Sequence, residues 1–152
     1  MQLDAREDIA APQEMVWREI TNFTGFERSA MRRGMEVRRL NDSDGAGASW
    51  ALEFKYRGRD RKARCKITDW NPKEHFSAMV VSSGIEARVD VDMVSLSRGR
   101  TRLDLTVVLS SQSFAGKLLV QSFKLARGSL DRRLKNRLTG FARDIEDRVP
   151  RG

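Results

Sequence analysis

The stretch WALEFKYR, residues 50–57, decides the fold. Trp50, Leu52, Phe54 and Tyr56 fall on one side of an extended chain, and Glu53, Lys55 and Arg57 fall on the other. Alternation with period two is what a β-strand with one dry and one wet face requires. The pattern extends in both directions. Upstream, Met35 and Val37 alternate with Glu36 and Arg38 before a turn over residues 41–47. Downstream, a reversal over residues 58–60 leads into Ala63, Cys65 and Ile67 against Arg64, Lys66 and Thr68, and Asn71 and Pro72 end that strand. Residues 76–81 read as a strand too uniformly apolar for its facing to be assigned. Ile85, Ala87, Val89, Val91 and Met93 then alternate with Glu86, Arg88, Asp90 and Asp92, and Leu103, Leu105, Val107 and Leu109 repeat the pattern after a turn over residues 97–100.

The two ends complete the order. Leu3, Ala5 and Ile9 share one side of an opening strand, and Pro12 starts a helix, since its fixed dihedral suits a first helical position. Met15, Val16 and Ile20 line that helix, with Trp17 flanking them. Asn22, Thr24 and Gly25 break it, and a second short helix is expected over residues 26–33. One long amphipathic helix, residues 113–149, closes the chain. Leu119, Phe123, Leu130, Leu134, Leu138, Phe141 and Ile145 gather on one face of it at about 100° per residue. Phe114, Leu118 and Leu125 fall opposite. Two accounts of these three stand open: a break near Gly116 that packs them under the helical pair, or a pocket mouth or partner surface. Gly128 and Gly140 are expected to mark a close approach or a bend.

These elements predict an α+β domain spanning residues 1–152: a curved antiparallel sheet of about seven strands wrapped around a long C-terminal helix, with a short helical pair after the first strand. A chain of 152 residues is the size of one domain and buries roughly 70% of its unfolded surface. No apolar run approaches the ~20 residues of a membrane span. Residues 1–9 carry Asp4, Glu7 and Asp8 and lack the apolar core of a secretion signal, so a cytoplasmic location is expected. Cys65 is the only cysteine, which excludes an intramolecular disulfide and a multi-cysteine zinc site.

Net charge is +8. Basic residues concentrate at Lys55, Arg57, Arg59, Arg61, Lys62, Arg64 and Lys66, and along the closing helix at Arg127, Arg132, Arg133, Lys135, Arg137 and Arg143. Acidic or apolar residues interrupt both runs, so a solvated face is expected and nucleic acid is not the favoured partner. A face that attracts an anionic membrane, an acidic protein or RNA is the alternative.

The strand, helical pair, six strands and closing helix resemble the START-like, or SRPBCC, superfamily of helix-grip proteins. This superfamily includes polyketide cyclase/dehydratase-like members, coenzyme-Q-binding proteins and plant pathogenesis-related allergens. The residues that carry the resemblance are IAAPQEMVWREITNFTGF (9–26), CKITDWNPKEHFSAMV (65–80) and RTRLDLTVVL (100–109). These are spacings rather than catalytic signatures. The resemblance implies a cavity for a small hydrophobic molecule, such as a lipid, isoprenoid or aromatic polyketide-like compound, between sheet and closing helix; many members bind without catalysing.

Few side chains on the apolar faces can exchange protons or attack. His75 follows residues 71–74 and reads as a surface turn residue, and neither a Ser-His-Asp set nor a Cys-His pair can be assembled from spacing. No metal site and no cofactor are expected, because one histidine and one cysteine leave only carboxylates as ligands. Trp50, Phe54, Tyr56, Phe76, Val89, Val91, Met93, Leu105 and Phe123 are the expected pocket wall. Tyr56 in the inward register and Asp69, two residues beyond Ile67, are the candidate proton-transfer groups of a cyclase or dehydratase-like alternative. Binding without turnover is the favoured expectation.

Overall fold

Each alternating run forms a strand, and the strands join edge to edge in one sheet. The computed structural model describes residues 1–150. Their order is β1 (Gln2–Ile9), α1 (Gln13–Ile20), α2 (Phe23–Arg32), β2 (Glu36–Arg39), β3 (Ser49–Tyr56), β4 (Arg59–Asn71), β5 (His75–Ser82), β6 (Ile85–Ser97), β7 (Arg100–Ser111), α3 (Phe114–Leu125) and α4 (Arg127–Arg148). The sheet runs β1-β7-β6-β5-β4-β3-β2, antiparallel throughout. The first strand therefore pairs with the last. Two hairpins turn on residues with positive φ, Arg57 (53°) with Gly58 (73°) and Ser83 (52°) with Gly84 (77°), the two-residue geometry that matches the twist of the flanking strands.

Register aligns the apolar rows. Phe76 of β5 faces Val91 of β6, which faces Leu105 of β7, which faces Ala5 of β1. On the next row Ile67, Ala78 and Val89 stand side by side. Ala5, Ile9, Val16, Leu103, Leu138, Ala142 and Ile145 are all buried within one core that joins β1, α1, β7 and α4. Thr101 sits in it without penalty because its hydroxyl donates to the Ala11 carbonyl at 2.8 Å.

Three expectations about the helices change. Asn22 separates the two helices as expected, but its side chain accepts a hydrogen bond from the Gly25 amide at 3.1 Å and so caps α2, which begins at Phe23 and takes in Thr24 and Gly25. The closing helix is two helices, and the break falls at Ala126 rather than near Gly116. There the Ala126 amide bonds back to the Phe123 and Ser122 carbonyls, ending α3 before α4 starts. Gly116 instead lies in the first turn of α3, where a Cβ would collide with the Gly84 carbonyl. That contact seats α3 on the β5–β6 turn, helped by the Ser113 side chain accepting from the Gly116 amide at 3.0 Å. Gly140 meets nothing, and α4 runs through it.

Candidate functional site

The cavity forms where a short helix, rather than a long one, covers the sheet. It is open to solvent and offers about 360 Å³, within the ~300–1,000 Å³ range of small-molecule sites. Its floor uses one or two inward residues from successive strands: Trp50 and Leu52 of β3, Cys65 and Ile67 of β4, Phe76 and Ala78 of β5, Val89 and Val91 of β6, and Leu105 of β7. Ile20, Phe23, Phe26 and Ala30 come from α1 and α2. No residue of α2 is fully buried, so this helix rests on the sheet without filling the space beneath it.

The expected placement is corrected here, since the wall opposite the sheet is α2 and not the closing helix. The inward face of α4 is already occupied against β1 by Leu138, Ala142 and Ile145, all at most 3% exposed. Its Phe141 ring stacks on Phe26 of the cavity wall with centroids 6.5 Å apart.

Large rings stiffen one end. Trp17, Phe23, Trp50, Trp70 and Phe76 pack largely edge to face, with centroids 5.1 Å apart for Trp17 and Trp70 and 5.2 Å for Phe23 and Trp50. Such rings have fixed shapes and do not collapse into a void as flexible chains would. The Trp50 indole nitrogen is a buried polar atom with no hydrogen-bond partner among the described residues. It is fully covered, so a guest reaches it only if its neighbours move. Charge is held at the border. Among the described residues Glu27 is the only charged side chain in the wall, and it accepts from Arg39 at 3.0 Å. Hydrogen bonding to Glu27 pushes the Arg39 guanidinium further up its already high range, and the same guanidinium lies 5.0 Å from the centre of the Trp50 ring. Cys65 is a partly buried thiol whose pKa burial raises, which keeps it protonated and poorly nucleophilic.

Of the nine expected wall residues, Trp50, Phe76, Val89, Val91 and Leu105 line the cavity. Phe54, Tyr56, Met93 and Phe123 do not. The cavity spans only the middle of the sheet, and each inward step along a strand moves about 6.7 Å. Phe54 and Tyr56 lie one and two steps beyond Leu52, and Tyr56 packs on Phe123 of α3 with centroids 6.2 Å apart. Met93 lies one step beyond Val91 and fills the core, 4% exposed. The residues missed by sequence reading include Leu52, Cys65, Ile67 and Ala78 of the sheet and, on α2, Phe23, Phe26, Glu27 and Ala30. The spacing of Phe23, Phe26 and Ala30 on one helical face was the signal that could have found those of α2.

Asp69 is corrected as well. A bulge between Ile67 and Asp69 shifts the register, so Asp69 pairs with Ser77 on the outer face and its carboxylate reaches Arg88 at 3.5 Å. That outer face holds a polar row. His75 opens β5 instead of sitting in a turn; its Nδ1 is 2.8 Å from Asp92 Oδ1 and its Nε2 is 3.0 Å from Ser77 Oγ. A Ser-His-Asp set does assemble here, although spacing gave no means of building it. It is not arranged for attack. The Ser77 hydroxyl donates to Asp90 and is wholly buried, and Ser77 does not line the cavity beneath α2. Burial of Asp90 opposes ionisation, but hydrogen bonds from Ser77 and Arg88 outweigh it and hold the carboxyl below its usual value. Among the described residues no group of three or more His, Cys, Asp or Glu side chains could hold a metal ion. No helix among them is long and apolar enough to cross a membrane.

Solved structures share this architecture across nearly the whole chain. The Zhui aromatase/cyclase from Streptomyces sp. R1128 superposes with a TM-score of 0.69 at 16% identity, covering 99% of this chain and 96% of that one. Norcoclaurine synthase from Thalictrum flavum, in complex with dopamine and hydroxybenzaldehyde, gives 0.64 at 9% identity, with 99% and 89% covered. The Ara h 8.0201 structure gives 0.60 at 10% identity, with 97% and 95% covered. No protein-family model matches the chain, and no curated protein matches its sequence. The structural neighbours are SRPBCC, or Bet v 1-like, helix-grip proteins, and the fold of this chain is the helix grip.

Proposed function

We propose that this chain binds a small hydrophobic molecule in the cavity between α2 and the inner face of the sheet. The observation that carries the reading is a wall of apolar side chains around about 360 Å³, with its one charged member, Glu27, already neutralised by Arg39. Maintaining such a void costs packing energy that a guest restores. The volume lies at the small end of ligand sites, so a compact aromatic, polyketide-like or isoprenoid compound fits better than a two-chain lipid. Ring-lined walls favour an aromatic guest, since edge-to-face contacts add to burial. Binding without turnover is supported by the positions of Tyr56 and Asp69, neither of which lines the cavity.

The experiment is a fluorescence titration with N-phenyl-1-naphthylamine, an uncharged probe that brightens in apolar surroundings. Wild type is expected to bind one equivalent. Ala78→Trp, which grows a side chain into the void, is expected to weaken binding about 100-fold while the protein still melts cooperatively. Equal binding by wild type and a folded Ala78→Trp protein would remove the cavity as the site.

A further inference from the structure

The cavity leaves α3 unexplained. This helix lines none of it, and its outer stripe is the most exposed apolar surface of the molecule: Phe114 is 77% exposed, Leu118 58% and Leu125 93%. At 100° per residue these three lie within about 40° of one another. Its inner side is fixed. Val120 is buried, Phe123 meets Tyr56, and Gly116 abuts Gly84, so the helix cannot roll to hide the stripe.

The charges beside the stripe are predominantly positive. Lys117 and Lys124 flank it, and α3 contains no acidic residue. The Tyr56–Phe123 contact brings the β3–β4 hairpin tip alongside, where residues 55–62 hold five basic side chains and one acidic one, Asp60. Arg57 and Arg61 lie over the Tyr56 ring at 5.3 and 5.5 Å. Lys55, Arg57, Arg59, Arg61, Lys117 and Lys124 form no ion pair among the described residues. Within the hairpin only Lys62 is paired, to Glu53 at 3.7 Å.

We infer that α3 and the β3–β4 hairpin tip form a docking face for an anionic lipid bilayer. Apolar side chains that project from a cationic surface suit a bilayer boundary, where they enter the acyl region while lysines and arginines meet anionic headgroups. A second copy of this chain would set one basic face against another. A nucleic acid backbone would satisfy the cations and leave Phe114, Leu118 and Leu125 in water. The face is separate from the cavity, so this inference does not depend on the ligand reading.

Vesicle flotation tests it, using phosphatidylcholine vesicles with and without phosphatidylserine. Wild type is expected to float with the phosphatidylserine vesicles only, and to be released as salt rises from about 0.1 to 0.5 M. Leu118→Glu with Leu125→Glu is expected to lower partitioning about tenfold or more, and each basic residue neutralised at Arg57 or Arg59 about fivefold. All four side chains are exposed, so the variants keep the fold; Leu125→Ser alone serves if the double variant melts early. Ala78→Trp is expected to float like wild type, which separates this surface from the cavity. Failure to bind phosphatidylserine vesicles, or binding unchanged in the folded leucine variants, would overturn the inference.

Discussion

The two ends of the sheet are covered by different helices, and one is solid where the other is hollow. Over β1 and β7, the 22-residue helix α4 seats Leu138, Ala142 and Ile145 against Ala5, Ile9 and Leu103, and every one of these is at most 5% exposed. Over β2–β5, the 10-residue helix α2 brings Phe23, Phe26 and Ala30 to the sheet, none of them fully buried. A long helix with a continuous apolar face can interdigitate with a sheet along its length. A short one, tethered at both ends, bridges a curved sheet and leaves space below.

The largest expected difference between the two halves is in stability. Ile145→Ala should cost about 2–5 kcal/mol, because it opens a void in a filled core. Phe26→Ala removes a larger side chain but one 46% exposed beside an existing void, and should cost about 1 kcal/mol. Calorimetric melting checks both, and equal losses would break the distinction. Enlargement sharpens it. Ala142→Leu should destabilise by about 1–3 kcal/mol through overpacking, whereas Ala78→Leu on the hollow side should be neutral or slightly stabilising.

The smallest effect is chemical. Cys65 should react with iodoacetamide more slowly than a free thiol, and its rate should keep climbing above the pH at which ordinary thiols level off. The stability sign follows from the same raised pKa. Above about pH 8.5 the unfolded thiol ionises first, the unfolded state binds fewer protons, and stability falls as pH rises. Cys65→Ala should reduce that alkaline loss, measured as melting temperature against pH. Occupation of the cavity by N-phenyl-1-naphthylamine should slow the alkylation further.

Much of this architecture was legible because period-two alternation reports facing directly. Trp50, Leu52, Val89, Val91 and Leu105 all point inward, as their spacing required. The solid side was also legible in the face shared by Leu138 and Ile145. The hollow was harder to locate. Alternation marks a dry face without saying how far the helix above it stands off, so Phe54 and Met93 read as wall residues and Leu52 did not. The bulge that turns Asp69 outward has no compositional mark. Neither does the break at Ala126, since alanine is the residue most at home inside a helix. The start of α2 was misread because the Asn22 side chain breaks one helix and caps the next with the same hydrogen-bonding chemistry.

A crystal soaked with 2-bromonaphthalene tests the central claim most directly, because the anomalous signal of bromine marks the position of the guest. The account predicts one strong peak between α2 and the sheet, in contact, about 4 Å, with wall side chains such as Phe76 and Val91. An interior filled by those side chains, with no peak beneath α2, would contradict it.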